Sequence, residues 1–160
     1  MPDMLVKLYD LPLSFDFIAE HAAKGVTIRK PISPEKTTIV EWVRKNWSEG
    51  WASEFAASLP GERANSWVAT EAGKIIGFAC HNSTAPGFFG PTGVLESHRG
   101  RGIGKALLMA CLMEMKLSGY GYAIIGGAGP TDFYAKACGA VIIPGSIPGI
   151  YAGMVEIGKS

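Results

Sequence analysis

The sequence predicts an α+β domain, and two observations carry that expectation. Stretches with strand alternation and stretches with helical spacing follow one another along the chain, some strands joined by hairpin-length turns. One glycine-rich, basic segment, Val94 to Lys105, then joins an apolar strand run to a long helical pattern. With 160 residues and 48% hydrophobic content, residues 1–160 read as one globular unit with a real core.

Met4–Tyr9 reads as a short strand stopped at Leu11-Pro12. Phe15, Ile18, Ala19 and Ala22 fall on one helical face over 15–23, with Ser14 as N-cap and Gly25 as stop. Val26–Lys30 reads as a strand. Ser33-Pro34-Glu35 is a helix entry, and the helix continues through Ile39, Val43 and Trp47. A second helical piece runs from Trp51 to Leu59, closed by Pro60-Gly61. Trp42, Trp47 and Trp51 read first as packing residues, because large aromatics act mainly by area burial.

Ser66–Thr70 and Lys74–Cys80 are strands joined through Glu71-Ala72-Gly73. Phe88–Leu95 is a further strand interrupted by Gly90, Pro91 and Gly93. Proline and glycine inside a strand mark relaxed pairing and close approach, as in a strand that splays to admit an extended ligand. From Gly104 the pattern places Leu107, Leu108, Cys111, Leu112 and Met115 on one apolar stripe, ending near Gly119. Tyr122–Ile125 is a strand, Pro130–Cys138 a short helix stopped by Gly139, and 141–143 and 150–155 close the chain as strands.

Composition excludes several function classes. Fifteen Lys and Arg against 14 Asp and Glu leave a net charge of +1, without the basic field expected of a nucleic-acid binder. Cys80, Cys111 and Cys138 are odd in number and lack metal-site spacing, so they read as buried thiols in a reducing compartment, with no metal. The N-terminus has no signal pattern, and no apolar run reaches the ~18–20 residues of a membrane span. The expectation is a cytoplasmic protein without a membrane partner.

The segment Arg99-Gly100-Arg101-Gly102-Ile103-Gly104-Lys105 carries the chemistry. Glycines let the main chain approach a ligand, the first turn of a helix attracts phosphate, and successive N–H groups form an anion nest. The Walker A spacing fails at Arg99 and Ala106, and the dinucleotide fingerprint fails at Lys105 and Leu107. The pattern R/Q-x-x-G-x-G/A is met by Arg99, Gly102 and Gly104.

With that loop the sequence resembles the GNAT superfamily of acyl-CoA-dependent N-acetyltransferases, including uncharacterised bacterial members. A second stretch, Phe133-Tyr134-Ala135-Lys136-Ala137-Cys138-Gly139-Ala140, resembles the later motif of the same family. It departs in having Ala128 where an Asn often stands and Ala140 where Phe follows the glycine. The likeness covers residues ~26–155, with 1–24 as an N-terminal addition. It implies a mixed, mostly antiparallel sheet flanked by helices in three layers, splayed at its two central strands.

The resemblance also implies a reaction: transfer of an acetyl group from acetyl-CoA to a primary amine by direct attack. In it Val94, Arg99, Gly100, Arg101, Gly102, Ile103, Gly104 and Lys105 hold the cofactor. A backbone N–H near Val94 polarises the thioester carbonyl, and Tyr134 protonates the leaving thiolate. Glu96 is the expected base, with His81, Glu54 or a water chain as alternatives. Trp51 and Glu54 are the expected acceptor contacts. The acceptor is a small molecule, and a homodimer is left open. The competing reading is an acyl-CoA-binding sensor or partner module without turnover.

Overall fold

The computed structural model describes residues 1–156 and 158. Its strands are β1 (Met4–Lys7), β2 (Val26–Arg29), β3 (Ser66–Glu71), β4 (Lys74–His81), β5 (Phe88–Val94), β6 (Tyr122–Ile125) and β7 (Val141–Ile142). Its helices are α1 (Asp16–Ala22), α2 (Lys36–Asn46), α3 (Glu49–Ala57), α4 (Ile103–Leu117) and α5 (Thr131–Cys138). The strands form one sheet in the order β2-β3-β4-β5-β6-β1-β7. All neighbours pair antiparallel except β5 and β6, which are parallel.

Side-chain alternation divides the interior into two cores. Along β4, Phe78 and Cys80 face Ile39, Val43, Ala52 and Phe55 of α2 and α3, while Ala79 faces the α4 side. Phe78 is the hub of an aromatic cluster that touches Trp42, Trp47, Trp51 and Phe55 edge-on. Ser48 caps α3 by accepting from Trp51 N, which starts that helix at Glu49, ahead of the expected Trp51. The β3–β4 hairpin turns through Ala72 and Gly73, both at positive φ, the conformation a two-residue hairpin loop demands.

Two expectations fail in instructive ways. The stripe on α4 is in fact buried nearly all round, from Ile103 through Leu112 to Met115. Its outer side is covered by the N-terminal segment: the 3-10 turn Leu8–Asp10 and α1 both pack on it, and Lys116 Nζ donates to Leu11 O. Each fully buried Leu or Met there contributes about 1.5–3 kcal/mol. The second failure is the strand expected at 150–155. Those residues form a 3-10 turn at Gly149–Tyr151 followed by irregular chain. The sheet position between β6 and β7 is instead filled by β1, Met4 opposite Ile125 on one side and Ile142 on the other.

Candidate active site

β5 and β6 pair only at Phe88 opposite Ile124 and Phe89 opposite Ile125. Beyond those two rungs they diverge. Gly90, at φ +120°, begins the departure of β5, while β6 ends and turns through Gly126 and Gly127. The gap is a cleft of about 680 Å³, walled by residues 90–94 on one side and by Ile125, Gly126, Gly127 and Gly129 on the other. Trp47, Trp51, Phe133 and Tyr134 also line it. Glycines are structural necessities here. A Cβ on Gly93 would lie 2.4 Å from Trp47, and one on Gly126 would lie 2.7 Å from the Tyr151 hydroxyl.

One mouth of the cleft has a geometry suited to an anion. After β5 the chain makes a 3-10 turn at Glu96–His98 and passes through Gly100 (φ +79°) and Gly102 (φ +77°) into α4. Ala106 N is the first amide to enter the helical ladder, donating to Gly102 O. Among the described residues, no backbone carbonyl accepts from the N–H groups of residues 100 to 105. These open donors stand at the positive end of a 15-residue helix, the arrangement that binds phosphate. Val94 belongs to the same construction. Leu95 N donates to Ile76 O of β4, and neighbouring N–H groups on a strand point to opposite edges. The Val94 N–H therefore faces the side that β6 has vacated.

The basic side chains divide. Arg99 and Lys105 are exposed and line the cleft, Arg99 Nε donating to Val94 O at 3.2 Å. Arg101, expected to serve the same anion, instead pairs with Glu71 on β3, Nη2 to Oε2 at 2.5 Å. His98 Nε2 lies 3.2 Å from the other oxygen of that carboxylate. Arg101 beside Glu71 holds its carboxyl below the usual range, with His98 adding to the effect.

Tyr134 reaches the middle of the cleft from α5. It is only 6% exposed, and its ring meets Phe89 and Phe133 edge-on. Burial, with the neighbouring Cys138, pushes its phenol up to about 12. Its hydroxyl has no protein partner among the described residues, so it is a protonated donor held at the cleft. The three cysteines are free and buried, and burial pushes each thiol up, which suits inert core residues.

Glu96 is not brought to this place. It is exposed at the start of the 3-10 turn and outside the cleft wall, because that turn carries its side chain past the end of β5. His81 is also elsewhere: it is buried under the sheet with Nε2 3.4 Å from Glu114 of α4, which Lys30 also holds. Trp51 does line the cleft, stacked on Trp47 at 5.9 Å. Glu54 lies beyond the wall, accepting from Thr84 Oγ1 at 2.5 Å. Two residues at this end escaped the sequence reading. Tyr151 packs over Gly126; burial raises its phenol first, then the charges of Glu54 and Asp3. Asp3 accepts from Gly127 N at 2.8 Å. No local pattern links residues 3, 54, 84 and 151, so only the folded chain reveals them together.

The sequence model of the Acetyltransferase (GNAT) family matches residues 36–140, more than half of the chain. The chain belongs to the GNAT acetyltransferase family. No curated protein matches it. Among solved structures, it is similar to a glucosamine N-acetyltransferase region of a fungal multi-domain β-N-acetylglucosaminidase, at 17% identity and TM-score 0.69, over 89% of this chain and 19% of that one. It is likewise similar to a GCN5-related N-acetyltransferase from Kribbella flavida, at 23% identity and TM-score 0.60, over 88% and 53%. A GNAT acetyltransferase from Brucella melitensis, solved with acetyl-CoA, aligns at 23% identity and TM-score 0.52, over 69% and 80%. At these identities the likeness is one of fold. The GNAT chain thus spans about half of the Kribbella protein and a fifth of the fungal one.

Proposed function

We propose that this GNAT protein transfers the acetyl group of acetyl-CoA to a primary amine of a small acceptor. The observation that carries the proposal is the run of open N–H groups at residues 100 to 105, at the mouth of a cleft that also presents the Val94 N–H and the Tyr134 hydroxyl. The pyrophosphate of CoA would take the open donors, Arg99 and Lys105 flanking it. The pantetheine arm would lie along residues 90–94, whose edge lost its strand partner. In that arrangement the thioester would lie between Val94 and Tyr134.

The chemistry then runs with each proton accounted for. The amine nitrogen attacks the thioester carbon, and the developing oxyanion accepts from the Val94 N–H, a fixed donor that needs no reorganisation. Collapse breaks the carbon–sulfur bond, and Tyr134 donates its proton to the sulfur, regaining one from solvent. The acceptor nitrogen sheds two protons in all. One leaves before attack, since an alkylamine near pKa ~10.4 is almost wholly charged at pH 7. The other leaves the acylated nitrogen as the intermediate collapses, which balances the proton given to sulfur. No carboxylate lines the cleft among the described residues. His98 does line it, but its ring nitrogens lie against Ser97 Oγ and Glu71, so we assign both protons to water and give Glu96 no role as base. On the acceptor side, Trp51 offers an aromatic face to an ammonium group, and Glu54 with Asp3 supplies negative charge.

Release of free thiol from acetyl-CoA in the presence of a library of primary amines tests the proposal. Amine-dependent thiol release at stoichiometry with acetylated product supports it. Tight CoA binding with no release above the blank across the library would replace it with the sensor reading.

A further inference from the structure

We infer that His21 binds the ribose 3′-phosphate of the cosubstrate, which gives the cofactor site a ligand on α1, outside the segment that defines the family. The inference rests on the CoA reading above. His21 stands in the last turn of α1 and is 9% exposed. No donor or acceptor in the described chain engages its ring, and its ring nitrogens are not among the sealed, unsatisfied atoms of the interior. They keep a path to the outside.

The ring is aimed at the anion loop. A Cβ built on Gly102 would lie 3.7 Å from His21 Cε1 and 3.9 Å from Nε2. Gly102 heads α4 and sits within the run of open N–H groups. His21 is not part of the cleft wall; it approaches the loop from the α1 flank. With no protein partner among the described residues and a path to the outside, the ring edge is free to donate to a ligand. Beside the open N–H groups of a helix N-terminus the favoured ligand is an anion.

The order of groups along CoA decides which anion. The thiol end, the pantetheine arm and the pyrophosphate are accounted for by Tyr134, by residues 90–94 and by residues 100 to 105. The 3′-phosphorylated adenosine comes next and has to leave the cleft past the loop. An imidazole carries a donating N–H in either protonation state, so it can bond a phosphoryl oxygen there. This also gives the covering of α4 by the N-terminal segment a functional consequence: the helix that shields α4 also delivers a ligand to its head.

Calorimetric titration of CoA and of dephospho-CoA, which lacks only the 3′-phosphate, tests the inference on wild type, His21→Ala and His21→Phe. The phenylalanine variant keeps a ring against Gly102 and deletes the donor. The expected result is about tenfold weaker CoA binding in both variants, the scale of one hydrogen bond to a charged group. Affinity for dephospho-CoA should stay at its wild-type value. Equal losses for the two ligands would make His21 a prop for the loop and overturn the inference, as would unchanged CoA affinity in either variant. Failure of the wild type to bind either ligand would instead overturn the CoA reading itself, and this assignment with it.

Discussion

The two ends of the cleft are built from different material. At the loop end the working groups are main-chain N–H donors from one contiguous stretch, Val94 to Lys105, and side chains matter mostly by being absent. At the other end the wall is made of side chains, Trp47 and Trp51, with Glu54, Thr84, Tyr151 and Asp3 gathered from far apart behind it. A site made of backbone donors tolerates most substitutions and is broken by a few glycine changes. A site made of converging side chains can be retuned one residue at a time. Such a division suits an enzyme whose one substrate is fixed and whose other varies.

Tyr134 stands where the two ends meet, and its loss should have the largest effect. Tyr134→Phe keeps the contacts to Phe89 and Phe133 and removes the proton that the proposed mechanism gives to the sulfur. The expected drop in kcat is about 10²–10⁴-fold, with CoA affinity unchanged in a titration. Because burial holds this phenol up at about 12, it stays protonated through neutral and mildly alkaline pH. The wild-type kcat/KM profile should rise as the amine deprotonates and show no falling limb from Tyr134 below about pH 11. A limb falling near pH 8 would name a different acid.

Gly102→Val attacks the loop end alone. At φ +77° a β-branched residue is strained by about 1–3 kcal/mol, and relief would turn the open N–H groups away from their ligand. CoA affinity should fall about 10- to 100-fold by calorimetry, and the same strain should lower the melting temperature by about 2–10 °C in thermal melts. Gly104 makes a useful contrast. A Cβ there meets only Val94 Cγ2 at 3.8 Å, so Gly104→Ala should cost far less.

These two variants also mark what the sequence could and could not tell. The strand–glycine loop–helix arrangement was legible because glycine spacing, a strand before it and a helix after it are all local. The strand–helix alternation and the β3–β4 hairpin were legible for the same reason. The exchange of partners at the sheet edge was not. Met4–Lys7 and residues 150–155 both carry short apolar runs, and only the first pairs in the sheet, a tertiary choice that a local run does not fix. Arg101 was read from its neighbours as an anion ligand, yet its partner Glu71 comes from a hairpin thirty residues earlier. Glu96 was placed by adjacency to β5, and a single 3-10 turn was enough to carry it outside.

The opposite end yields the next effects. Trp51→Ala should raise the KM for the acceptor by about tenfold and leave CoA affinity as it was, the loss expected when an aromatic face for a desolvated ammonium is removed. Equal effects on both substrates would mean that Trp51 acts only through its stack on Trp47. Gly93→Ala tests the wall behind them. Its Cβ would sit 2.4 Å from Trp47, inside contact distance, and overpacking of that kind costs about 1–3 kcal/mol, read as a lower denaturation midpoint.

The smallest effect should come from the loop arginines, and the order between them is the point. Arg99 is exposed, lines the cleft and, among the described residues, is held only by a bond to Val94 O. Its charge is available to a phosphate at the open N–H groups. Arg101 has its guanidinium on Glu71, across two oxygens, and that pairing must be broken before it can serve a ligand. Screening at 0.15 M salt reduces either contribution at the surface. Arg99→Ala should therefore weaken CoA about threefold to fivefold at low ionic strength, and Arg101→Ala by no more than about twofold, with both differences shrinking as salt is added. Glu71→Gln turns the comparison round: freeing Arg101 should tighten CoA slightly, and only when Arg101 is present. A titration in which Arg101→Ala costs more than Arg99→Ala would show that the ligand pulls Arg101 off Glu71, and that the loop end relies on side-chain charge as well as on its backbone.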